Sequence, residues 1–367
     1  MSKRAIAAAL ALLVPVAGGT CANAQPIGKT PAHELRIQAS SVAVTLNGAG
    51  ANSIDPFFEA VFYAYHKADP NVTINYNPAG SSVGITRIEQ QTVDFGDSEI
   101  PMSAKDLAKA KGPVLQVPVD LGGVAISYNI PGAPKDLKLD GPTLASIFDG
   151  NITNWGSKAI AQETGVSNLP NLAIIPVHRS DNSGPGWVLD EYLIQTSTDW
   201  ASVIKTTKPS KAWPVILGVG EDLNSGVASY IAQTPGAIGF VEYGYALKAG
   251  FTNAAIKNAA GNYIIPSEPS LVKAGLNAGK LSSTNFSIVN SAGATAYPLA
   301  NFSWALLYQK QADLVKGEAL EALFHYVVTT GQRQAGELGY APLPANVVQL
   351  ALSTLSQLEG PDGKPLQ

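Results

Sequence analysis

The strongest constraint on this fold is a unit that recurs along the chain: an apolar strand, a loop of glycine and hydroxyl residues, and the start of a helix. Val42 to Leu46 alternates as a strand does, and Gly48-Ala49-Gly50 breaks it. Asp55-Pro56 then supplies a cap and a first-turn proline. Phe57, Phe58, Val61, Phe62 and Tyr65 follow at helical spacing, which predicts one buried face. Val72 to Tyr76 is a second strand, and Gly80-Ser81-Ser82 leads into a helix from Val83. Val93 to Phe95 is extended, and Ser103 to Lys111 is helical. Further on, strands are predicted at Gly122 to Tyr128, Ala173 to Val177 and Phe302 to Tyr308. Helices are predicted at Thr143 to Phe148, Trp187 to Ile194 and Gly317 to Thr330. Such alternation predicts an α/β chain with a mostly parallel sheet covered on both faces.

At 367 residues the chain is long enough for two lobes with sizeable cores. Hydrophobic residues make up 46% and charged residues 14%, which excludes a disordered or nucleic-acid-binding chain. The formal charge is −4, so an anionic ligand must be caught by a local site rather than by a global field. Residues 1–24 read as a secretory signal: Lys3 and Arg4, an apolar run from Ala5 to Val16, and the small-x-small site Ala22-Asn23-Ala24. A membrane anchor and a lipoprotein built on Cys21 are the competing readings of that segment. Cleavage removes the sole cysteine, and with it disulfides and thiol chemistry. His33, His66, His178 and His325 are scattered without metal spacing, and no metal or other cofactor is expected.

Three loops carry candidate chemistry: Gly48 to Ser53, Gly80-Ser81-Ser82 and Ser183-Gly184. A helix start offers free N–H groups and partial positive charge, small residues admit an anion to the backbone, and hydroxyls add uncharged donors. Each loop alone is also an ordinary cap. Arg179, at the end of an apolar strand, can grip an oxyanion with two parallel hydrogen bonds while Asp181 orients it; a surface Arg–Asp pair is the bland alternative. Glu99 makes sense beside an anion only if the anion carries a proton for it to accept. Phosphate does so and sulfate does not; a solvated loop acid is the bland alternative for Glu99.

The stretches Gly48 to Ala51, Gly80 to Ser82, Val93 to Gly96, Asp149 to Trp155, Arg179 to Gly184, Pro235 to Tyr243 and Tyr340 to Pro344 together resemble the phosphate-binding protein of the Pst-type ABC importer, in the periplasmic binding protein superfamily. The resemblance implies a two-lobed periplasmic-binding-protein fold with two hinge crossovers of the type II kind. Its lobes would be residues 37–118 plus 297–367, and 119–296. It places Ser81, Arg179, Ser183 and Gly184 on the anion, with Asp181 bracing the arginine. The chain departs from the family pattern at Asn52-Ser53 (for Thr-Phe), Glu99 (for Asp) and Pro185 (for Thr). Pro185 lacks an N–H and a hydroxyl, and Asn52 and Ser53 are candidate replacement donors. The implied function is capture of inorganic phosphate, with arsenate as a second ligand, by a periplasmic or secreted monomer. That monomer would hand its ligand to an importer's permease and ATPase, without nucleic acid. A divergent oxyanion or phosphate-ester binder acting as scavenger, sensor partner or adhesin is the alternative. An enzyme using Ser183 is disfavoured, because no G-x-S-x-G elbow surrounds it.

Overall fold

The computed structural model describes residues 42–206, 208–276, 281 and 286–366. The signal segment, Cys21 and the leader Gln25 to Arg36 lie outside the described residues. The elements run β1 (Val44–Gly50), α1 (Asp55–Ala68), β2 (Val72–Asn77), α2 (Ser81–Gln90), β3 (Phe95–Ser98), α3 (Ala104–Leu107) and β4 (Val114–Tyr128). Next come β5 (Lys138–Leu139), α4 (Gly141–Phe148), α5 (Lys158–Thr164), β6 (Ile175–Arg179), α6 (Gly184–Thr196) and α7 (Thr198–Ile204). They are followed by β7 (Val219–Glu221), α8 (Leu223–Gln233), β8 (Ala237–Glu242), α9 (Tyr243–Ala249), β9 (Thr252–Asn253), β10 (Ala255–Lys257) and β11 (Tyr263–Ile264). The chain closes with α10 (Glu268–Leu276), β12 (Ala300–Tyr308), α11 (Leu314–Val328), two 3-10 turns and α12 (Ala345–Leu355).

The main sheet has the order β2-β1-β3-β12-β4-β8-β6-β7, with β9 also on β4. Its outer strands are parallel, as the alternation predicts. The centre is not: β12 is antiparallel to β3 and β4, and β4 is antiparallel to β8. The fifteen-residue β4 serves both halves, pairing with β12 through Gly123 and with β8 from Val124. The sheet path is therefore continuous through one strand, and the chain passes between the halves twice, once in β4 and once on its return to β12.

Two departures from the sequence reading have local causes. β4 begins well before Gly122, although Pro118 argues against a strand there. The register with β12 shifts between Ser303 and Trp304, so Val119 is an extra residue in a bulge, and a bulge tolerates the missing N–H of Pro118. β1 runs through Gly48 and Gly50 instead of ending before them. A Cβ at Gly48 would meet the Phe95 ring at 2.1 Å, and one at Gly50 would meet the Asp97 carbonyl oxygen at 2.1 Å, so the glycines allow β1 and β3 to pack tightly. At α1 the N-cap is Ile54, without a side-chain cap; Asp55 and Pro56 lie inside the first turn, and the five predicted apolar residues are all buried. In the first half, Leu306 packs against Ile85 and Ile88 of α2 on one face, while α1, α11 and α12 join the large core on the other. In the second half, α8 and α9 cover one face and α4, α6 and α7 the other.

Candidate functional site

The predicted residues converge where helix starts from both halves meet strand ends. β6 delivers Arg179, which is 2% exposed. Its Nε and Nη2 donate to the two carboxylate oxygens of Asp181, both at 2.5 Å. Nη1 is buried and has no partner among the described residues. Asp181 also accepts from the backbone N–H of Leu223 at 3.3 Å. The acid therefore fixes the guanidinium plane and leaves one charged donor edge uncommitted.

Glu99 follows β3 and is 4% exposed. One carboxylate oxygen accepts from Ser53 Oγ and the other from Asn301 Nδ2, each at 2.6 Å. The Glu99 backbone N–H reaches Ser81 Oγ at 3.4 Å. Burial raises the Glu99 carboxyl above its usual range, while the bonds from Ser53 and Asn301 and the charge of Arg179 pull it back. The same carboxyl lies on the start of α6: a Cβ at Gly184 would sit 2.0 Å from Glu99 Oε2. Glutamate, one methylene longer than aspartate, thus reaches both Ser53 and the Gly184 backbone, and only glycine leaves room for it.

Ser183 caps α6, accepting from Gly186 N–H at 3.1 Å, and Pro185 fits in that first turn. Gly80 has a φ of 103° and its missing Cβ would lie 3.1 Å from Asp181, so the Gly80 loop abuts the arginine brace. Ser82 Oγ is a second buried group without a partner among the described residues. Asn52 donates from Nδ2 to Tyr245 Oη at 3.0 Å, and its Oδ1 accepts from Asn224 Nδ2 at 2.9 Å. His178 bonds the Arg179 carbonyl at 3.0 Å and stacks on Trp213, a strand-end structural role.

The structure thus gathers Asn52, Ser53, Ser81, Glu99, Arg179, Ser183 and Gly184 around one buried locus, with Asp181 behind the arginine. Sequence reasoning missed Asn224, Asn301 and Glu242. Asn224 is fully buried at the start of α8; its Nδ2 also reaches Ser53 Oγ at 3.3 Å, and its Oδ1 accepts from the Glu242 N–H at 2.9 Å. A signal for Asn224 was present: Asn224-Ser225-Gly226 at a helix start after strand β7 repeats the pattern of Asn182-Ser183-Gly184. Asn301 offered only a polar residue inside an apolar strand. Among the described residues no cluster of His, Cys, Asp or Glu is placed to hold a metal, and no helix is long and apolar enough to cross a membrane.

A buried locus lined by helix starts, with a braced arginine and a buried acceptor, on a mixed sheet traversed twice by the chain, defines a two-lobed α/β binding protein of the periplasmic type. The model of the PBP superfamily domain matches residues 35–329, and the chain belongs to that family. More particularly, it belongs with the PstS phosphate-binding proteins. It is 37% identical over 310 residues to that of Xylella fastidiosa (strain Temecula1), covering 84% of each chain. It is 36% identical over 328 residues to that of Pasteurella multocida, covering 88% of this chain and 94% of the relative. The solved phosphate-binding protein from Stenotrophomonas maltophilia shares the fold, with a TM-score of 0.63 at 17% identity over 84% of this chain and 93% of that one. Members of this family are binding proteins, not enzymes.

Proposed function

We propose that the chain is the periplasmic substrate-binding component of an ABC importer and that it captures inorganic phosphate at the Arg179–Glu99 locus. One observation carries the reading: a braced guanidinium with a free Nη1 shares a buried site with an acid whose charge it supports. A ligand there is asked to accept from a cation and to donate to a carboxylate. A tetrahedral oxyanion that keeps a proton does both, and fully ionised sulfate cannot. Ser81, Ser82, Ser183 and the Gly184 backbone supply uncharged donors; Asn52 Nδ2 keeps a second hydrogen to stand in for what Pro185 cannot offer, while Ser53 spends its one hydrogen on Glu99. The PstS relatives are phosphate-binding proteins by name, which supports the same ligand. Arsenate, of the same shape and protonation, is the expected second ligand.

The lobes in this proposal are residues 37–118 plus 297–367, and 119–296, with the ligand between them. The protein works as a monomer outside the cytoplasm after loss of residues 1–24, and passes its ligand to a permease driven by an ATPase. The test is calorimetric titration with phosphate, arsenate and sulfate at one pH and one salt concentration. Phosphate and arsenate are expected to bind and sulfate to fail as a competitor. Glu99→Gln keeps the size and adds a donor, so it is expected to narrow that discrimination. Absence of phosphate binding refutes the function. Equal selectivity in the wild type and Glu99→Gln removes Glu99 from the ligand.

A further inference from the structure

Glu242 closes β8 with its side chain 1% exposed. Its Oε1 accepts from the Gly123 N–H at 2.8 Å, and a Cβ at Gly122 would lie 2.5 Å from that oxygen, so strand β4 makes room for this carboxyl by having glycine there. Oε2 is buried and receives no donor among the described residues. What Glu242 faces is the Glu99 carboxyl, whose two oxygens are already held by Ser53 and Asn301. Two carboxylates cannot bond each other: one must carry a proton.

The surroundings decide which one. Glu99 has two side-chain donors and the nearby charge of Arg179. Glu242 has one backbone donor and faces the further acid Asp120 from β4. The remaining titratable groups that sense it are the phenols of Tyr245 from α9, Tyr297 from the segment before β12 and Tyr340 from the segment after the second 3-10 turn. Arg179 is the one buried cation among the described residues, and Asp181 already neutralises it. Nothing near Glu242 supports a second negative charge.

We propose that Glu242 is a positioning residue for the ligand acceptor: it carries the proton of a carboxyl–carboxylate pair, donates it toward Glu99, and so keeps Glu99 ionised and aimed as the acceptor of the ligand's own proton. The direction of its titration agrees, since burial, and after it the charge of Glu99, hold the Glu242 carboxyl well above the usual carboxylate range. The pair also explains how Glu99 stays anionic in a nearly water-free site: the second acid acts as a neutral donor, as a buried amide would. The inference rests on the phosphate-binding reading for its ligand, and on the packing of the two acids and the direction of their titration for its proton.

Phosphate affinity measured from about pH 7 to about pH 10 in the wild type, E242A and E242Q tests it. Loss of a buried donor to a charged acceptor costs roughly 1.5–3 kcal/mol, so E242A is expected to weaken phosphate binding at least about ten-fold at neutral pH. E242Q restores a neutral donor and the acceptor for Gly123 N–H, and is expected to recover most of that loss. As the pair loses its proton at high pH the wild-type affinity falls, whereas E242Q stays flat. An E242Q protein as weak as E242A, or a pH profile identical to the wild type's, overturns the proposal. Should E242A fail to fold, E242Q and the infrared difference spectrum against the wild type suffice. A protonated-carboxyl C=O band in the wild-type minus E242Q difference at about pH 8, over and above the bands of the other buried acids that both proteins share, is expected, and its absence overturns the proposal. The infrared reading needs no ligand, so a protein that ignores phosphate sinks the functional reading and leaves this one to be decided by its own spectrum.

Discussion

Replacing Asp120 by asparagine is expected to stabilise the protein, by an amount that depends on pH. Asp120 is 3% exposed in β4, and its Oδ1 accepts from the Ser303 N–H at 2.9 Å. Burial, opposed by the Ser303 bond and reinforced by the charge of Glu99, pushes its carboxyl from 3.8 up to about 8. The unfolded chain ionises this group near 3.8, while the folded chain holds the proton to about 8. Between those limits folding takes up a proton. The stability that the neutral acid allows is complete below the lower value and is lost as pH rises toward the upper one. At pH 7 the gap is 7 − 3.8, or about three units, and at roughly 1.4 kcal/mol per unit this amounts to about 4 kcal/mol. Local relaxation and water entry reduce such figures, so a gain of about 2 kcal/mol for Asp120→Asn is the working expectation at pH 7. Asparagine keeps the acceptor for Ser303 N–H and the shape, and it cannot ionise. The assay is denaturant unfolding of both proteins at about pH 4 and about pH 7. The two should be nearly equally stable at the lower pH and diverge at the higher. A gap that is the same at both values, or a variant less stable at both, refutes the reasoning.

Arg179→Ala should weaken phosphate binding by at least roughly 2 kcal/mol in calorimetry, because a desolvated charge-assisted contact is lost; an unchanged Kd would take Arg179 out of the site. Asn224→Ala strands the Glu242 N–H and leaves Asn52 Oδ1 only the longer bond from the backbone N–H of position 224, and should cost about 2 kcal/mol of stability, read by unfolding, together with weaker phosphate binding. Asp106 is buried, which works to raise its carboxyl, but the Lys211 ion pair at 2.8 Å and two bonds from Ser103 outweigh burial and hold it down to about 2. Its contribution is therefore present above about 3.8 and lost as pH falls through about 2, and Lys211→Ala should move the onset of acid unfolding to higher pH.

The sequence carried the alternating elements and the anion-binding loops because both are local patterns. The apolar face of α1 shows in the spacing of Phe57, Phe58, Val61, Phe62 and Tyr65, and the arginine brace shows in the two-residue step from Arg179 to Asp181. What could not be read was the contact between distant segments. The pairing of Asn224 with Asn52, 172 positions away, is one such contact. Glu242 was one residue of the family-like stretch Pro235 to Tyr243, with nothing to set it apart until its carboxyl met Glu99. The early start of β4 was hidden by Pro118, since a proline inside an apolar run signals an end unless the partner strand is known to skip a residue. The glycines of β1 read as a break because their purpose, clearance for Phe95 and Asp97, lies on another strand.

The Val119 bulge does more than excuse a proline. In an unbroken strand Pro118 and Asp120 would project from the same side of the sheet. Here Pro118 is opposite Trp304 while Asp120 is opposite Ser303, and those two neighbours of β12 point to opposite sides. The one extra residue is thus a half-turn of phase: everything in β4 before it keeps one orientation, and everything after it is inverted. That inversion carries Asp120 to the side where Ser303 Oγ holds Asp97 at 2.6 Å, and where the acids behind the ligand locus gather. Deleting Val119 would act as a frameshift written in space rather than in codons. The polypeptide would read on unchanged, yet one stretch of β4 would have to present its opposite side, and the acid would leave the group whose proton balance it tunes.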